Sequence, residues 1–253
     1  MSILLVDIGN TRMKWAVLRG ARMTRPRALA HHGVGARLRA AIRSMPGDVD
    51  RAVAVCVAGS RLERALAAAV RERFAIPTVF ARSTRMAAGV RNSYRDVWRL
   101  GADRWVALLA AHAIAGSRPV LIASVGTALT LDLVDGAGIH RGGAIAPGPS
   151  TMIASLLGGT AGIRRRARGA WRSGHSTRGL FTADTASALD AGARFAAAAL
   201  IDRAVREARM ALGRRPVVLL TGGATAGLHS YIESAVREVP DLVLRGLGLL
   251  ARD

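Results

Sequence analysis

The sequence predicts an α/β fold made of two similar halves, because two distant segments share one order of features. Each begins with a short apolar run typical of a buried strand, continues through a tight polar turn of small residues, and ends in a second strand. The chain is 51% hydrophobic but only 4% aromatic, so its core must consist mainly of Ala, Val, Leu and Ile, as in folds of alternating strands and helices. The two copies are residues 3–6, 7–11 and 13–18, and residues 120–123, 124–128 and 129–134.

In the first half, a polar crossing and then alternating strand and helix patterns follow the two strands of the first copy. Apolar residues spaced three or four apart between 62 and 74 predict a helix. Another helix is predicted to begin near Asp103 and to end where Gly116 and Pro119 break the chain, and this break predicts a domain boundary. The further predicted strands are residues 53–58 and 78–81, and the predicted domains are residues 1–117 and 118–253.

The second half repeats the order of strand, turn, strand, strand and helix. A long alanine-rich helix is predicted over 183–212, and a strand at 217–220 ends in a third glycine turn at 221–224, which is predicted to precede another helix. The other predicted elements are strands near 120–123, 128–134 and 139–146 and a helix after Pro149. The repetition indicates duplicated halves with a cleft between them.

The charge balance suggests a nucleic-acid partner, but the distribution of the charges argues against one. The chain carries 37 basic and 17 acidic residues, a formal net charge of +20. The arginines are spread over nearly every predicted helix, which is typical of solvated helix faces. The one dense cluster, residues 164–166 with Arg168 and Arg172, is interpreted as a loop, and a polyanion-binding patch is the alternative.

Cysteine usage and hydropathy restrict the class of protein further. Cys56 is the only cysteine, so the chain has no internal disulfide and no cysteine-based metal site, and its apolar neighbours predict a small core residue. No apolar run approaches the roughly 20 residues that a membrane span needs, and the N-terminus enters a strand pattern without a signal sequence. A soluble, cytoplasmic protein is therefore expected.

Three glycine-containing turns are candidate phosphate-binding sites. They lie at Gly9, Gly126 and Gly222, each at the end of an apolar strand, where bare backbone can approach a ligand and N–H groups can bind a phosphate. The sequence has no P-loop, and no G-x-G-x-x-G motif opens a helix after the first strand, so a nucleotide would be held by hairpin turns. Taken singly, such a turn is more often only a structural turn or cap.

The first of these turns carries a resemblance to a known superfamily. Residues 7–14, Asp-Ile-Gly-Asn-Thr-Arg-Met-Lys, are similar to the first phosphate motif of the acetate kinase, sugar kinase, Hsp70 and actin superfamily. Within it, the order of the later motifs resembles the type III pantothenate kinases over residues 3–247. The most diagnostic of these motifs are residues 101–104 and 240–247. The others are residues 126–128 with Thr130 and Asp132, residues 142–148 and residues 221–223. The resemblance implies two ribonuclease H-like domains, the actin-like ATPase fold, with a nucleotide cleft between them.

The resemblance also implies a reaction, the ATP-dependent phosphorylation of pantothenate to 4'-phosphopantothenate, which is the first step of coenzyme A biosynthesis. Asp103 matches the position of the base that assists attack of the primary alcohol on the γ-phosphorus. Arg104 would bind the pantothenate carboxylate or a neighbouring polar group, and Asp7 would hold Mg²⁺, directly or through water. The other implied pantothenate-binding residues are Tyr94, Gly101, Ala102 and Thr185. The implied ATP-binding residues are Asp7, Ile8, Gly9, Asn10, Thr11, Arg12, Met13, Lys14, Gly126, Thr127, Gly222 and Gly223.

Several of these residues also have structural interpretations, which the sequence leaves open. Asp103 could be the N-cap of the helix that follows it, and this role could coexist with catalysis. Tyr94 could be a half-buried packing residue, Thr185 a helix-start hydroxyl, and Lys14, the only lysine, an ordinary surface residue.

Two positions depart from the family pattern. Ser124 stands where the family commonly has an aspartate associated with an activating monovalent cation. A neutral hydroxyl attracts K⁺ or NH₄⁺ much less, so the sequence argues against the usual site, although main-chain carbonyls could still hold an ion. Val97 stands where a proline is common, which affects the shape of the local loop.

The resemblance further implies a homodimer, since relatives are dimers. The apolar residues at 183–201 would permit close helix packing across such an interface, and burial within one subunit explains them equally well. Two alternative functions remain: another small-molecule kinase of the same superfamily, and a regulator that retains the fold and acts through its basic surface.

Overall fold

The computed structural model describes residues 1–31, 35–45, 47–167 and 179–252, which form two compact units. The first unit consists of Met1–Gly116, Gly138–His140 and Asp241–Asp253, and the second of Ser117–Ala137 and Arg141–Pro240. The final segment thus groups with the first unit, whereas the division predicted from the sequence put it in the second half.

The first unit is built on a mixed sheet whose strand order is β3-β2-β1-β5-β6, with β4 pairing to β2. Its strands are β1 (Ser2–Ile8), β2 (Arg12–Arg19), β3 (Arg22–Met23), β4 (Arg27–Ala30), β5 (Arg51–Cys56) and β6 (Thr78–Phe80), and a separate pair is β7 (Met86–Ala87) with β8 (Val90–Arg91). β1 runs antiparallel to β2 and parallel to β5. Strand β1 is apolar on both faces, because helices cover both sides of the sheet.

The helices of the first unit divide between those two faces. Leu4 and Val6 pack in a core with α1 (Gly35–Arg43) and α2 (Ser60–Phe74), whereas Ile3 and Leu5 pack in a second core with α3 (Ala102–Ala115) and α7 (Leu242–Leu250). The last two helices approach closely, since a Cβ on Gly246 would lie 2.0 Å from the carbonyl oxygen of Val106. This contact holds α7 within the first unit.

The second unit repeats the same start of a sheet, in the order β11-β10-β9-β12-β13. Its strands are β9 (Val120–Val125), β10 (Ala128–Val134), β11 (His140–Pro147), β12 (Val217–Thr221) and β13 (Arg237–Glu238), and its helices are α4 (Pro149–Gly159), α5 (Ala161–Ala167) and α6 (Thr185–Leu212). As in the first unit, a hairpin joins two antiparallel strands and the first of them pairs in parallel with a later strand. The duplicated α/β arrangement predicted from the sequence is confirmed.

The long helix α6 covers one face of this sheet. Ala197, Ala198 and Ile201 are buried in a core with residues of β9 and β10. Of the two explanations that the sequence left open for the apolar residues of this helix, burial within one subunit accounts for these three.

Two predictions about connecting segments are wrong. The polar crossing after β2 contains β3, β4 and α1, which sequence patterns missed because the strands are short and α1 buries only Leu38 and Ile42. The helix predicted after the third glycine turn is absent. That segment consists of turns and a short 3₁₀ helix, His229–Tyr231, and Gly227 adopts a φ of +76° that does not belong to an α-helix.

The arginine cluster is also corrected, since Arg164, Arg165 and Arg166 lie on α5 and not in a loop. The Arg164 guanidinium donates to the carbonyl oxygens of Leu157 and Gly158, both at 2.7 Å, which are among the last carbonyls of α4. At least this arginine therefore has a structural role. Arg168 and Arg172 lie outside the described residues.

Cys56 is buried, as predicted, and its thiol donates to the carbonyl oxygen of Gly59 at 3.7 Å. Burial raises the pKa of this thiol. None of the helices in the described ranges is long and apolar enough to cross a bilayer.

Candidate active site

The first predicted phosphate turn joins β1 to β2 and is closed by a hydrogen bond from the Gly9 N–H to the carbonyl oxygen of Arg12 at 3.0 Å. Asn10, Thr11 and Arg12 are exposed, so their backbone and side-chain donors can reach a ligand. Ile8 and Met13 are fully buried in the core beside the turn. Of this predicted ATP-binding run, Ile8 and Met13 therefore anchor the turn through their side chains.

Four charged residues of the first unit surround the end of β1. Asp7 lies opposite Lys14 in the hairpin, and the Lys14 ammonium forms an ion pair with Asp241 at 2.9 Å. Burial raises the pKa of Asp7 to about 7; the negative charges of Asp103 and Asp241 also raise it, whereas the Lys14 charge lowers it. The Lys14 charge is therefore shared between carboxylates.

The donor set at this position suits a magnesium ion that arrives with its phosphates. Among the residues that the structure describes, no group of three or more His, Cys, Asp and Glu is arranged to hold a metal ion. Mg²⁺ usually binds through one or two carboxylates plus substrate phosphates and water, and dedicated protein cages are unusual for it. Asp7 can supply such a carboxylate. Burial is the main cause of its raised pKa and disfavours its charged form, which a bound cation would favour.

The predicted acceptor-side residues lie at the start of α3. Gly101 is the N-cap, and Asp103 is the second residue of the helix, so the proposal that Asp103 is itself the N-cap is wrong. The Asp103 carboxylate accepts a hydrogen bond from the Arg104 N–H at 2.8 Å, and a Cβ on Gly101 would lie 2.9 Å from the same carboxylate oxygen. Gly101 thus leaves the space that this carboxylate occupies, and Ala102 begins the helix.

Arg104, Tyr94 and His140 form a packed series beside Asp103. The buried Arg104 donates to the Tyr94 hydroxyl at 3.4 Å, and the Tyr94 ring stacks on the ring of His140 with centroids 5.7 Å apart and planes 17° from parallel. The Arg85 guanidinium donates to the carbonyl oxygen of Tyr94 at 2.8 Å. Tyr94 is therefore held through both its side chain and its backbone.

The remaining predicted pantothenate contact, Thr185, is the first residue of α6 in the second unit. The cap of this helix is Asp184, whose carboxylate accepts from the Ser187 N–H at 2.9 Å. The Thr185 hydroxyl is thus not the N-cap group of the helix.

The second predicted phosphate turn lies between β9 and β10 and is closed by a bond from the Gly126 N–H to the carbonyl oxygen of Ala128 at 2.9 Å. The Thr127 carbonyl accepts from the Gly148 N–H at 2.9 Å and from the Thr151 hydroxyl at 2.6 Å. A Cβ on Gly148 would lie 2.0 Å from the carbonyl oxygen of Gly126, so only glycine fits there. The N-terminus of α4 thereby holds this turn.

The third predicted turn lies beside the second one. Gly222 has a φ of +113°, and a Cβ there would lie 2.2 Å from the carbonyl oxygen of Val125, while the Ala224 N–H donates to that oxygen at 3.0 Å. Because β9 and β12 are parallel neighbours, with Thr221 paired to Ser124, their carboxyl ends meet at one edge of the sheet. The structure therefore brings together the two predicted turns of the second unit, at Gly126–Thr127 and Gly222–Gly223.

Comparisons with known proteins agree with these motifs. The family model for type III pantothenate kinase matches residues 3–207. The chain is 38% identical over 254 residues to the type III pantothenate kinase of Aromatoleum aromaticum, covering 99% of this chain and 98% of that protein. It is 34% identical over 257 residues to the enzyme of Nitrosococcus oceani, covering 99% and 94%.

This chain belongs to the type III pantothenate kinase family. Solved structures resemble it in fold. One is a conserved candidate transcriptional activator of the Baf family from Campylobacter jejuni, with 19% identity, a TM-score of 0.58 and coverage of 98% and 97%. Another is the activator of the 2-hydroxyisocaproyl-CoA dehydratase from Clostridium difficile, solved with bound ADPNP, with 11% identity, a TM-score of 0.52 and coverage of 98% and 92%. These likenesses show the fold alone, and the predicted actin-like ATPase fold is confirmed.

Several residues that shape this candidate site were not recognised from the sequence. Asp241 lies within the family-like run 240–247 but was given no role, because its contact with Lys14 joins residues far apart in the chain. Arg85 is one of many arginines, and no motif marks it. The buried His31 and His140 belong to no motif recognised in the sequence, so only the structure connects them to the turn and to Tyr94.

Proposed function

We propose that this chain transfers the γ-phosphoryl group of ATP to the primary hydroxyl of pantothenate, which gives 4'-phosphopantothenate and ADP. The observation that supports the proposal most strongly is membership of the type III pantothenate kinase family, together with the positions of Asp7 and Asp103 in the first unit. Asp7 lies near the end of β1, just before the first phosphate turn, and Asp103 lies in the first turn of α3, within the motif that carries the family resemblance. Kinases that phosphorylate an alcohol use a carboxylate that holds the metal ion and a carboxylate that accepts the hydroxyl proton, and Asp7 and Asp103 are the candidates for these two roles.

On the nucleotide side, we propose that the three glycine turns bind the phosphates of ATP, as the family resemblance implies. Asn10 and Thr11 offer exposed donors in the first turn. Gly126 and Thr127 and the neighbouring Gly222 and Gly223 supply bare backbone in the second unit. Lys14 forms an ion pair with Asp241, and the ammonium group has further N–H donors that would bind a phosphate oxygen.

We propose that Asp7 holds Mg²⁺, directly or through water. When bound, the ion would neutralise charge on the transferring phosphoryl group. Asp7 must be ionised to serve as its ligand, and a bound cation would lower the pKa of Asp7 from its raised value in the free protein.

On the acceptor side, Asp103 accepts the proton of the primary hydroxyl as its oxygen bonds to the γ-phosphorus. The bond between that phosphorus and the β,γ-bridging oxygen breaks, ADP leaves, and the proton remains on the Asp103 carboxyl. Arg104 presents a planar fork of donors to the pantothenate carboxylate, and Tyr94 orients that fork through its hydroxyl. We also assign Gly101, Ala102 and Thr185 to pantothenate binding, as the family resemblance implies.

A coupled assay of ADP release with ATP, Mg²⁺ and pantothenate tests the proposal. Asp103→Asn should lower kcat by more than about 100-fold and leave binding of a nonhydrolysable ATP analogue within about twofold, since the substitution removes only the proton acceptor. Asp96→Asn is the matched control, because Asp96 is an exposed aspartate of the same unit, in an ion pair with Arg99.

Two results would contradict the proposal. ADP release by wild-type protein that is equal with and without pantothenate would exclude this acceptor, and ADP release with another alcohol would favour a different small-molecule kinase. Tight binding of duplex DNA at moderate salt together with no kinase activity would favour the regulator, which the basic composition alone does not establish.

We also propose that the reaction does not depend on a monovalent cation. Ser124 lies on β9 between Thr130 and Thr221, so the paired strands place neutral hydroxyl residues beside it, where the family commonly has an aspartate. Equal kcat in KCl, NH₄Cl and NaCl, within about twofold, is expected, because a neutral oxygen binds these cations weakly. Activation by K⁺ of more than about tenfold would show that other oxygens complete the site.

Finally, we propose a homodimer, as the family resemblance implies. The mass of one chain is 26.5 kDa, so light scattering after size-exclusion chromatography should give about twice that value. A single-chain mass across the concentration range of the kinase assay would refute the dimer without affecting the proposed reaction.

A further inference from the structure

His31 lies at the end of β4, fully buried, and contacts the first phosphate turn in two ways. Its ring Nε2 is 2.8 Å from the carbonyl oxygen of Gly9, and its backbone N–H donates to the carbonyl oxygen of Thr11 at 3.1 Å. Because a carbonyl oxygen can only accept, Nε2 carries the hydrogen of the first bond. One buried histidine thus binds the carbonyl groups on both sides of Asn10.

These bonds determine where the N–H groups of the turn point. In a trans peptide the N–H of one residue points opposite to the carbonyl of the residue before it. The Gly9 carbonyl points towards the buried imidazole, so the Asn10 N–H points away from it, and Asn10 is exposed. The Gly9 N–H is itself bonded to Arg12. The peptide between Gly9 and Asn10 is therefore fixed with its donor directed away from the protein interior.

We propose that His31 is a positioning residue for the nucleotide phosphates: its imidazole fixes the peptide between Gly9 and Asn10 so that the Asn10 N–H is presented to a phosphate oxygen of ATP. The inference rests on the proposed kinase function. It adds a residue that no phosphate-turn motif contains, since His31 lies well beyond the hairpin in sequence and reaches it through the pairing of β4 with β2.

In the second unit, different groups hold a carbonyl of the corresponding turn. There the Thr127 carbonyl is held by the Gly148 N–H and the Thr151 hydroxyl, both at the N-terminus of α4. In each unit a carbonyl of the turn is bonded from the protein side, which orients the next N–H in the opposite direction. The His31 imidazole holds a turn carbonyl in the first unit, and the start of α4 holds one in the second unit.

The test uses the full chain with two substitutions at position 31. His31→Leu removes the donor, and His31→Gln keeps an amide N–H near the position of Nε2. For His31→Leu we expect the KM for ATP and the Kd of a nonhydrolysable ATP analogue, measured by calorimetry, to rise about tenfold, the effect of losing one hydrogen bond to a buried group. The KM for pantothenate should stay within about twofold, and His31→Gln should restore ATP affinity to within about threefold.

The matched control is His112→Leu, the same substitution at another histidine of the first unit. His112 lies on α3, and its Nδ1 is buried without a hydrogen-bond partner in the described part of the chain. This variant should keep the wild-type KM for ATP. If His31→Leu does not fold, His31→Asn replaces it, because its shorter amide does not reach Gly9, and the comparison with His31→Gln is unchanged.

The inference is overturned if folded His31→Leu binds the ATP analogue like the wild type. It is equally overturned if the KM values for ATP and pantothenate rise together and His31→Gln does not rescue either, since that pattern indicates a general structural role. A wild-type protein that binds the analogue but does not phosphorylate pantothenate would refute the proposed reaction alone, and the calorimetric comparison would still decide the role of His31.

Discussion

Replacing Asp7 by asparagine should stabilise the ligand-free protein while removing its activity. The pKa of Asp7 is raised from 3.8 to about 7, chiefly by burial and then by the charge of Asp103. At about 1.36 kcal/mol per unit of pKa, the difference between the unfolded and the folded pKa corresponds to about 4 kcal/mol of folding stability, which is lost above pH 7. Part of Asp7 remains exposed, so we expect about half of that value, about 2 kcal/mol.

The sign of the pH dependence follows from the direction of the shift. Because the folded pKa is above the unfolded one, the folded state holds the Asp7 proton between about pH 4 and about pH 7, where the unfolded state has released it. The stabilising contribution of the protonated group is complete below the unfolded pKa and is lost as the pH rises through the folded pKa. The asparagine of the Asp7→Asn variant has no proton to lose, so the free-energy difference between this variant and the wild type should grow over this window.

Urea denaturation at a series of pH values from about 4 to about 8.5, without nucleotide or Mg²⁺, measures this difference. Asp48→Asn is the control. It removes the same formal charge as Asp7→Asn, but from an exposed position. The reasoning is refuted if Asp7→Asn and the wild type have parallel pH profiles, or if the variant is the less stable protein at about pH 8. A parallel profile would mean that the Lys14 charge already neutralises Asp7 in the free protein.

Three further substitutions test other contacts of the site. Gly222→Ala should destabilise the protein by about 1–3 kcal/mol in urea denaturation and raise the KM for ATP, because a Cβ at this positive φ would lie 2.2 Å from the Val125 carbonyl oxygen. Arg104→Lys should raise the KM for pantothenate about tenfold with a smaller effect on ATP, since an ammonium cannot reproduce the fork of donors. Thr151→Val should raise the KM for ATP about threefold, as the Thr127 carbonyl would lose its 2.6 Å bond but keep the Gly148 N–H; an unchanged KM would show that the hydroxyl does not orient the turn.

The sequence predicted the parts of this fold that depend on local pattern. Strands such as β1 and β9 contain continuous apolar runs because residues on both of their faces are buried, and each ends in a glycine turn that local composition identifies. Helices such as α2 and α3 show apolar residues at helical spacing. The elements that were missed, β3, β4 and α1, bury few residues and so carry little periodic signal.

The missed features of the site have a different cause, which is sequence distance. Asp241 meets Lys14 because α7 packs on the first sheet, and His31 meets Gly9 because β4 pairs with β2. Neither contact has a spacing that a single sequence could display. By contrast, the sequence predicted Asp103 as a site residue because the family motif surrounds it. The sequence did not predict its exact position within the helix.

The charges of this chain act at two ranges, and the two ranges favour different steps. The net charge of +20 attracts ATP and pantothenate, which are both anions, over distances of about a Debye length. At close range the first unit instead places Asp7, Asp103 and Asp241 around a single lysine that is already paired. Bare phosphate is repelled by such a group of carboxylates, whereas phosphate carrying a divalent cation is not. In the proposed reaction, the basic surface therefore concentrates the substrates, and the acidic cluster admits the nucleotide only with its metal ion.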